Sequence, residues 1–309
     1  MRKIGIVGAG RVGETAAQIL AEQELCREIA IMDVREDVPE GVALDIRQTA
    51  PFFEFDCEIS GSNDPRILRD ADLVVVTAGA PSKAGMTRSD MLASNVGIID
   101  GITDNIIEYA PNAIVLVVSH PVDILTYRVA QRSGWPRERI MGQSGVLDAS
   151  RMASFIAQET GFSTMDITTM ILGGHGAAMV PIIRFCTING IPVSHFLDED
   201  RLRAIVERTR TGGEEVFALR DKAGAYDAPG AAVAAMVDAI SHNRRRLLPC
   251  VAVLEGEFGE SDIAIGVPCI LSQRGIESVV ELDLNDTEKA AFERSAAAIR
   301  VDIEGINEI

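Results

Sequence analysis

Lysine is scarce in this chain: Lys3, Lys83, Lys222 and Lys289 stand against 25 arginines, and there are only four histidines among 309 residues. Cysteine is sparse too. Cys26, Cys57, Cys186, Cys250 and Cys269 include no C-x-x-C pair, so buried free thiols are expected and neither a disulfide frame nor a metal site is. No apolar run reaches the ~18–20 residues that span a bilayer. The first one, "KIGIVGAG", is broken by glycine too soon for a secretory signal. A cytoplasmic protein with no membrane partner is expected. Internal repeats, low-complexity segments and proline-rich linkers are missing as well. Positive charge is short, 29 Lys and Arg against 46 Asp and Glu, for a net charge of −17. That excludes nucleic acid as an expected partner. It also means that an anionic substrate meets an unfavourable global field, which a few local arginines must overcome.

What is present is apolar: 47% of residues are hydrophobic, enough for one large domain or two medium ones. Residues 1–145 alternate short Val/Ile runs with helical stretches. "KIGIVGAG", "EIAIMD", "DLVVVTAG" and "AIVLVVSHP" read as strands buried on both faces. "RVGETAAQILAEQEL" and "SDMLASNVGIIDGITDNIIEYA" read as helices. This rhythm predicts α/β architecture, a Rossmann doubly wound parallel sheet. "RIMGQSGVLD" reads as a further strand and a crossing. Residues 146–309 read as an α+β domain, with helices over 149–161, 198–222, 229–243 and 286–306 and an antiparallel pair over 247–276. "MDITTMILGGHG" reads as one strand feeding a turn. A site in the cleft between the halves is expected.

"GAGRVG" supplies Gly8, Gly10 and Gly13 in G-x-G-x-x-G spacing, with Ala9, Arg11 and Val12 between them. It follows a strand-like run and opens a helical one, the context a dinucleotide pyrophosphate needs. Asp33 ends the second strand, twenty residues after Gly13. Its carboxylate suits the ribose hydroxyls of NAD and repels the 2′-phosphate of NADP; nearby Arg35 weakens that exclusion.

Oxidising an alcohol against NAD calls for a group that exchanges the hydroxyl proton, a group that polarises the carbonyl, and arginine forks for carboxylates. "GMTRSDML" offers Arg88, "SGVLDASRM" Asp148 and Arg151, and "GGHG" His175. Singly, each also fits an ordinary role: surface cation, helix cap or turn residue. Together with the glycines, and with "VTAGAPSKAGMTRSDML", "PVDILTY", "APGAA" and "EGEFG…IGVP" in order along nearly the whole chain, they resemble the lactate/malate dehydrogenase family. The resemblance is closest to its lactate-dehydrogenase-like malate dehydrogenases.

The resemblance implies an NAD-dependent dehydrogenase for a small 2-hydroxy/2-oxo acid, malate first, working as a homodimer or homotetramer. It implies His175 as proton acceptor and donor, Asp148 as the carboxylate that orients it, Arg151 as the anchor for the C1 carboxylate, and Arg88 as the carbonyl polariser. Asn95, Val118, Ser119 and His120 match cofactor contacts. Three positions depart from the family pattern. Ser82 stands where malate-type members carry arginine and lactate-type members glutamine, so a lactate or other 2-hydroxy-acid dehydrogenase is the alternative. His120 replaces an asparagine that touches substrate and nicotinamide pocket, and a second imidazole there is expected to depress protonation of His175. Ala177 replaces an aspartate. His120 and Ala177 also leave open a non-catalytic NAD-binding relative. Met86 and the small Ala225 favour malate.

Overall fold

The computed structural model describes the backbone of residues 1–80 and 88–307, and the side chains of 1–80 and 92–306. The first half runs β1 (Lys3–Val7), α1 (Arg11–Glu22), β2 (Glu28–Met32), α2 (Val38–Phe53), β3 (Glu58–Ser62), β4 (Leu73–Val76), α3 (Arg88–Tyr109), β5 (Ile114–Val117), α4 (Val122–Ser133) and β6 (Ile140–Gly142). The second half adds α5 (Gly145–Thr160), β7 (Ile167–Thr168), β8 (Ile171–Gly173), β9 (Met179–Pro181), β10 (Thr187–Ile188), β11 (Ile191–Pro192), α6 (Glu199–Leu219), α7 (Asp227–Ser241), β12 (Arg246–Glu255), β13 (Ser261–Ser272), β14 (Gly275–Val279) and α8 (Asp286–Asn307).

The six strands β1–β6 pair in parallel in the order β3-β2-β1-β4-β5-β6. This is the Rossmann-type sheet expected from the Val/Ile runs. Its order reverses between β1 and β4, and ligands bind such sheets beyond the carboxyl ends of the strands at that reversal. The sheet then continues antiparallel through β12, β13, β8 and β9, with β14 on β13. One apolar core runs beneath both halves, and a smaller one lies among α5, α6, β7 and β10. α7 packs on α1 so closely that a side-chain carbon at Gly230 would lie 2.7 Å from Thr15 Cγ2.

Several elements differ from the sequence pattern, which marks none of β3, α4 and β9–β11. α2 replaces a stretch in which no helix is expected. α5 begins at Gly145 rather than at 149, because Gly145 tucks under β12, where a side-chain carbon would sit 2.6 Å from Pro249 Cβ. The early start puts Asp148 in the first helical turn. "MDITTMILGGHG" divides into β7 and β8, which pair in different sheets.

Candidate active site

At the reversal point the chain leaves β1 through Gly8, whose φ is +111°. A Cβ at Gly8 would lie 2.7 Å from Ala78 N, and one at Gly13 would lie 1.9 Å from the Gly8 carbonyl oxygen. Only glycines let α1 start this close to the strand. Thr77 Oγ1 donates to the Gly8 carbonyl at 2.9 Å and fastens the turn to the exit of β4. Gly10, at the N-cap of α1, has open space where a Cβ would project, so no neighbour crowds that side of the helix N-terminus, the end of a helix that suits a pyrophosphate. A cavity of about 710 Å³ continues from there, lined by Gly8, Gly10, Asp33, Gly97, Gly101 and Asn105 among others. Glycine spacing, helix end, carboxylate and cavity together fit a dinucleotide. Ala9 donates its N–H to Asp33 at 2.7 Å, and Val12 packs on the core. Arg11 turns aside, donating to the Tyr226 hydroxyl at 3.3 Å. Val118 and Ser119 sew the exit of β5 to β4, with the amide of each donating to the Val76 carbonyl. A cavity of about 820 Å³ lies elsewhere, lined by Asp72, Arg139 and Glu277 among others; His175, Asp148 and Arg151 are not in its wall.

The acid/base group sits where β8, α4, α5 and α8 meet. Asp148 and Arg151 are three residues apart on α5, hence on one face. Arg151 Nη1 donates to Asp148 Oδ1 at 3.1 Å, and His175 Nδ1 lies 2.8 Å from Asp148 Oδ2. An ionised carboxylate only accepts, so Nδ1 carries the proton and Nε2 is left as the base. The Asp148 side chain is 1% exposed and that of His175 15%. The backbone of His175 is fixed as firmly: its N–H donates to Asp123 Oδ2 at 3.0 Å, and the neighbouring Gly174 N–H donates to Ser295 Oγ at 2.8 Å. Burial opposes a charge on the imidazole, but the charge and hydrogen bond of Asp148, with the charge of Asp123, hold it above its ordinary pKa. Burial pushes the Asp123 carboxyl up to about 6.

His120 stands edge-on to His175, ring centroids 4.7 Å apart at 76°. Its Nδ1 lies 3.2 Å from the Val118 carbonyl and donates to it, so Nε2 is the free ring nitrogen. Desolvation in the cleft, and then the charge of His175, lower its pKa to about 4. This corrects the expectation from sequence: of the two imidazoles, His120 loses its proton. His175 has Asp148, while His120 has only a carbonyl. Asn95 is buried with both polar groups committed. Its Oδ1 accepts from Ala80 N and its Nδ2 donates to the His120 carbonyl, each at 2.8 Å. It ties the exits of β4 and β5 together.

Thus Gly8, Gly10, Gly13 and Asp33 line or brace one cavity, and His175, Asp148, Arg151 and His120 form one cluster. The side chains of Ser82, Lys83, Met86 and Arg88 lie outside the described residues. Sequence reasoning missed Asp123, Thr209 and Gly212, the last two of which hold Arg151 from α6. The aspartate in "PVD" was visible but its direction was not. Among the described residues no cluster of three or more potential ligands could hold a metal ion, and no helix is long and apolar enough to cross a membrane.

A dinucleotide cavity at the reversal of the sheet, together with an imidazole backed by carboxylate and a guanidinium at hand for an anion, defines a dinucleotide-dependent oxidoreductase. Residues 2–142 match the NAD binding domain of lactate/malate dehydrogenase, and residues 145–309 match the alpha/beta C-terminal domain of the same family. The chain belongs to the lactate/malate dehydrogenase family. It is 59% identical over 303 residues to a malate dehydrogenase of Thioalkalivibrio sulfidiphilus, covering 98% of this chain and 99% of that one. Among solved structures it is similar to malate dehydrogenase from Salinibacter ruber (40% identity, TM-score 0.95, covering 99% and 98% of the two chains). It is also similar to lactate dehydrogenase from Cryptosporidium parvum, solved with lactic acid and NAD (31% identity, TM-score 0.95, covering 100% and 98%).

Proposed function

We propose that this protein is an NAD-dependent malate dehydrogenase, interconverting malate and oxaloacetate. The observation that carries the reading is the Arg151–Asp148–His175 array, in a chain that also has the dinucleotide cavity and is 59% identical to a relative named for that activity. Bound NAD supplies the hydride acceptor, and NADH the donor. The chain's own residues do the rest. Arg151 grips the C1 carboxylate with its planar fork. Asp148 fixes the tautomer of His175 and stabilises the imidazolium. His175 Nε2 takes the hydroxyl proton during oxidation and returns it to the carbonyl oxygen during reduction. Asp33 receives the adenosine ribose, and the Gly8–Gly13 turn the pyrophosphate. Arg88 is assigned to polarise the carbonyl. His120 is assigned to the substrate carbon, and Ser82 holds the family position that faces the far carboxylate.

A 2-oxo-acid panel tests the assignment. With NADH, kcat/KM for oxaloacetate is expected to exceed that for pyruvate by at least about tenfold, the low end of what one added group on a substrate is worth in discrimination. A tenfold preference for pyruvate instead makes the protein a lactate-type enzyme, and no turnover with any 2-oxo acid removes the enzymatic reading.

The protein is further read as a cytoplasmic homodimer or homotetramer. Leu44, Phe52 and Phe53 on α2 are 50%, 83% and 52% exposed, large apolar side chains of the kind that contact between chains covers. Light scattering is expected to give the mass of two or four chains; a mass near the 33.2 kDa of one chain refutes it.

A further inference from the structure

At the adenosine end of the cavity, Asp33 is not a lone carboxylate. Arg35 Nε donates to its Oδ1 at 2.9 Å and Arg35 Nη2 to its Oδ2 at 2.8 Å, a bidentate pair. The amides of Arg35 and Ala9 donate to the same two oxygens at 2.9 and 2.7 Å. Each oxygen thus accepts two hydrogen bonds, which uses both its lone-pair directions. Nη2 also donates to the Ala9 carbonyl at 2.9 Å, whereas Nη1 makes no hydrogen bond among the described residues. The turn that carries the pair is itself clamped: Asn63 Nδ2 donates to the carbonyls of Asp33 and Arg35 at 2.7 and 2.6 Å. The carboxylate side chain is 10% exposed and the arginine side chain 54%. Arg35 is therefore the outer face of this part of the cavity wall.

A carboxylate at this point in a Rossmann site selects NAD because it accepts from the ribose hydroxyls and repels a 2′-phosphate. Both effects change here. The charge that does the repelling is compensated by the guanidinium paired to it. A ribose reaches Asp33 only if the fork of Arg35 turns outward, and turning out leaves a guanidinium on a clamped turn beside the ribose. A planar fork of N–H donors is the group best matched to a phosphate. We propose that this site takes NADP(H) as well as NAD(H), with Arg35 as the ligand of the 2′-phosphate. The proposal rests on the dinucleotide-dependent reading of the site and not on which 2-oxo acid is reduced.

Calorimetric titration of the purified protein with NAD⁺ and NADP⁺, and with 5′-AMP and adenosine 2′,5′-bisphosphate, reads binding without turnover. The wild-type Kd for NADP⁺ is expected within about thirtyfold of that for NAD⁺, and Arg35→Gln is expected to widen the gap at least about tenfold. The same widening is expected between the bisphosphate and AMP. Arg35→Lys, which keeps the charge and loses the fork, should fall between. A wild-type gap beyond thirtyfold, or a gap that Arg35→Gln leaves unwidened, overturns the proposal. NAD⁺ binding by each variant reports that its site is folded. Failure to reduce any 2-oxo acid while both cofactors bind refutes the dehydrogenase reading and leaves this one standing.

Discussion

Replacing His175 by glutamine is expected to lower kcat about 10³-fold in both directions, with the Kd for NAD⁺ within about threefold of wild type, because general acid–base groups contribute ~10²–10⁴-fold and this one lies outside the dinucleotide cavity. Asp148→Asn should fall nearly as far. An amide that offers its NH₂ to Nδ1 favours the wrong tautomer, and Nε2 then carries a proton when it should accept one. Stopped-flow measurement of a single turnover separates chemistry from product release. A His175→Gln variant retaining a tenth of wild-type kcat would remove the imidazole from the mechanism.

The pH dependence follows from the same contacts. Oxidation needs His175 neutral and reduction needs it protonated. Its pKa is raised above the ordinary value by Asp148 and Asp123, which outweigh burial. kcat/KM for reduction should therefore fall as pH rises through that raised value, and kcat/KM for oxidation should fall as pH drops through it. Asp148→Asn should move the inflection down by about one unit or more, since it removes the nearest charge that favours the imidazolium. His120 is the useful control. With its pKa near 4 it is uncharged wherever His175 titrates. His120→Asn should thus leave the inflection within about 0.3 unit, below what a charged neighbour at this distance produces. A full-unit rise in His120→Asn would mean that the two imidazoles do compete. Asp123, pushed up to about 6, loses its charge on the acid side and with it part of what holds the proton on His175, which makes that limb shallower.

The β1 turn was legible because an apolar run, three glycines and a helical pattern meet within thirteen residues, and each is a local signal. The hairpin of β12 and β13 was legible for the same reason. α2 was not. Its N-cap Asp37 is left-handed with φ 61°, Pro39 opens it and Pro51 lies inside it, and Leu44, Phe52 and Phe53 break the amphipathic pattern by facing out. His175, Asp148 and Arg151 were found through motif order along the chain. Spacing alone left each open to an ordinary role, because the hydrogen bond from His175 to Asp148 spans 27 residues and that to Asp123 spans 52. Asp123 and Gly212 act only through such long-range contacts, so nothing local announces them. The Asp33–Arg35 pair was half visible: the residues are neighbours, but the geometry that spends both carboxylate oxygens was not.

Arg151→Gln is expected to cut kcat/KM for oxaloacetate about a thousandfold, because it leaves the substrate carboxylate unpaired and strips Asp148 of its cation, and breaking a buried pair costs ~3–5 kcal/mol. Gly212→Ala tests the positioning of that arginine without touching its chemistry. The stem of Arg151 lies in a notch on α6, where a side-chain carbon at Gly212 would be 2.3 Å from Arg151 Cδ and 2.8 Å from its Nε. From that notch Nη1 reaches both Asp148 Oδ1, at 3.1 Å, and the Thr209 carbonyl, at 3.4 Å. Both distances to the added carbon are far inside van der Waals contact, so either the guanidinium moves or α6 withdraws from α5. If the arginine yields, KM for oxaloacetate rises about ten- to a hundredfold, the equivalent of the ~1–3 kcal/mol that overpacking costs, while the Kd for NAD⁺ and the pH inflection of His175 stay near wild type. If α6 yields, Tm falls and KM holds. The rise in KM at unchanged cofactor affinity is the expected result, because a flexible side chain moves more easily than a packed helix. Arg151→Lys should not rescue Arg151→Gln, since a point charge on a thinner stem neither fills the notch nor presents a fork.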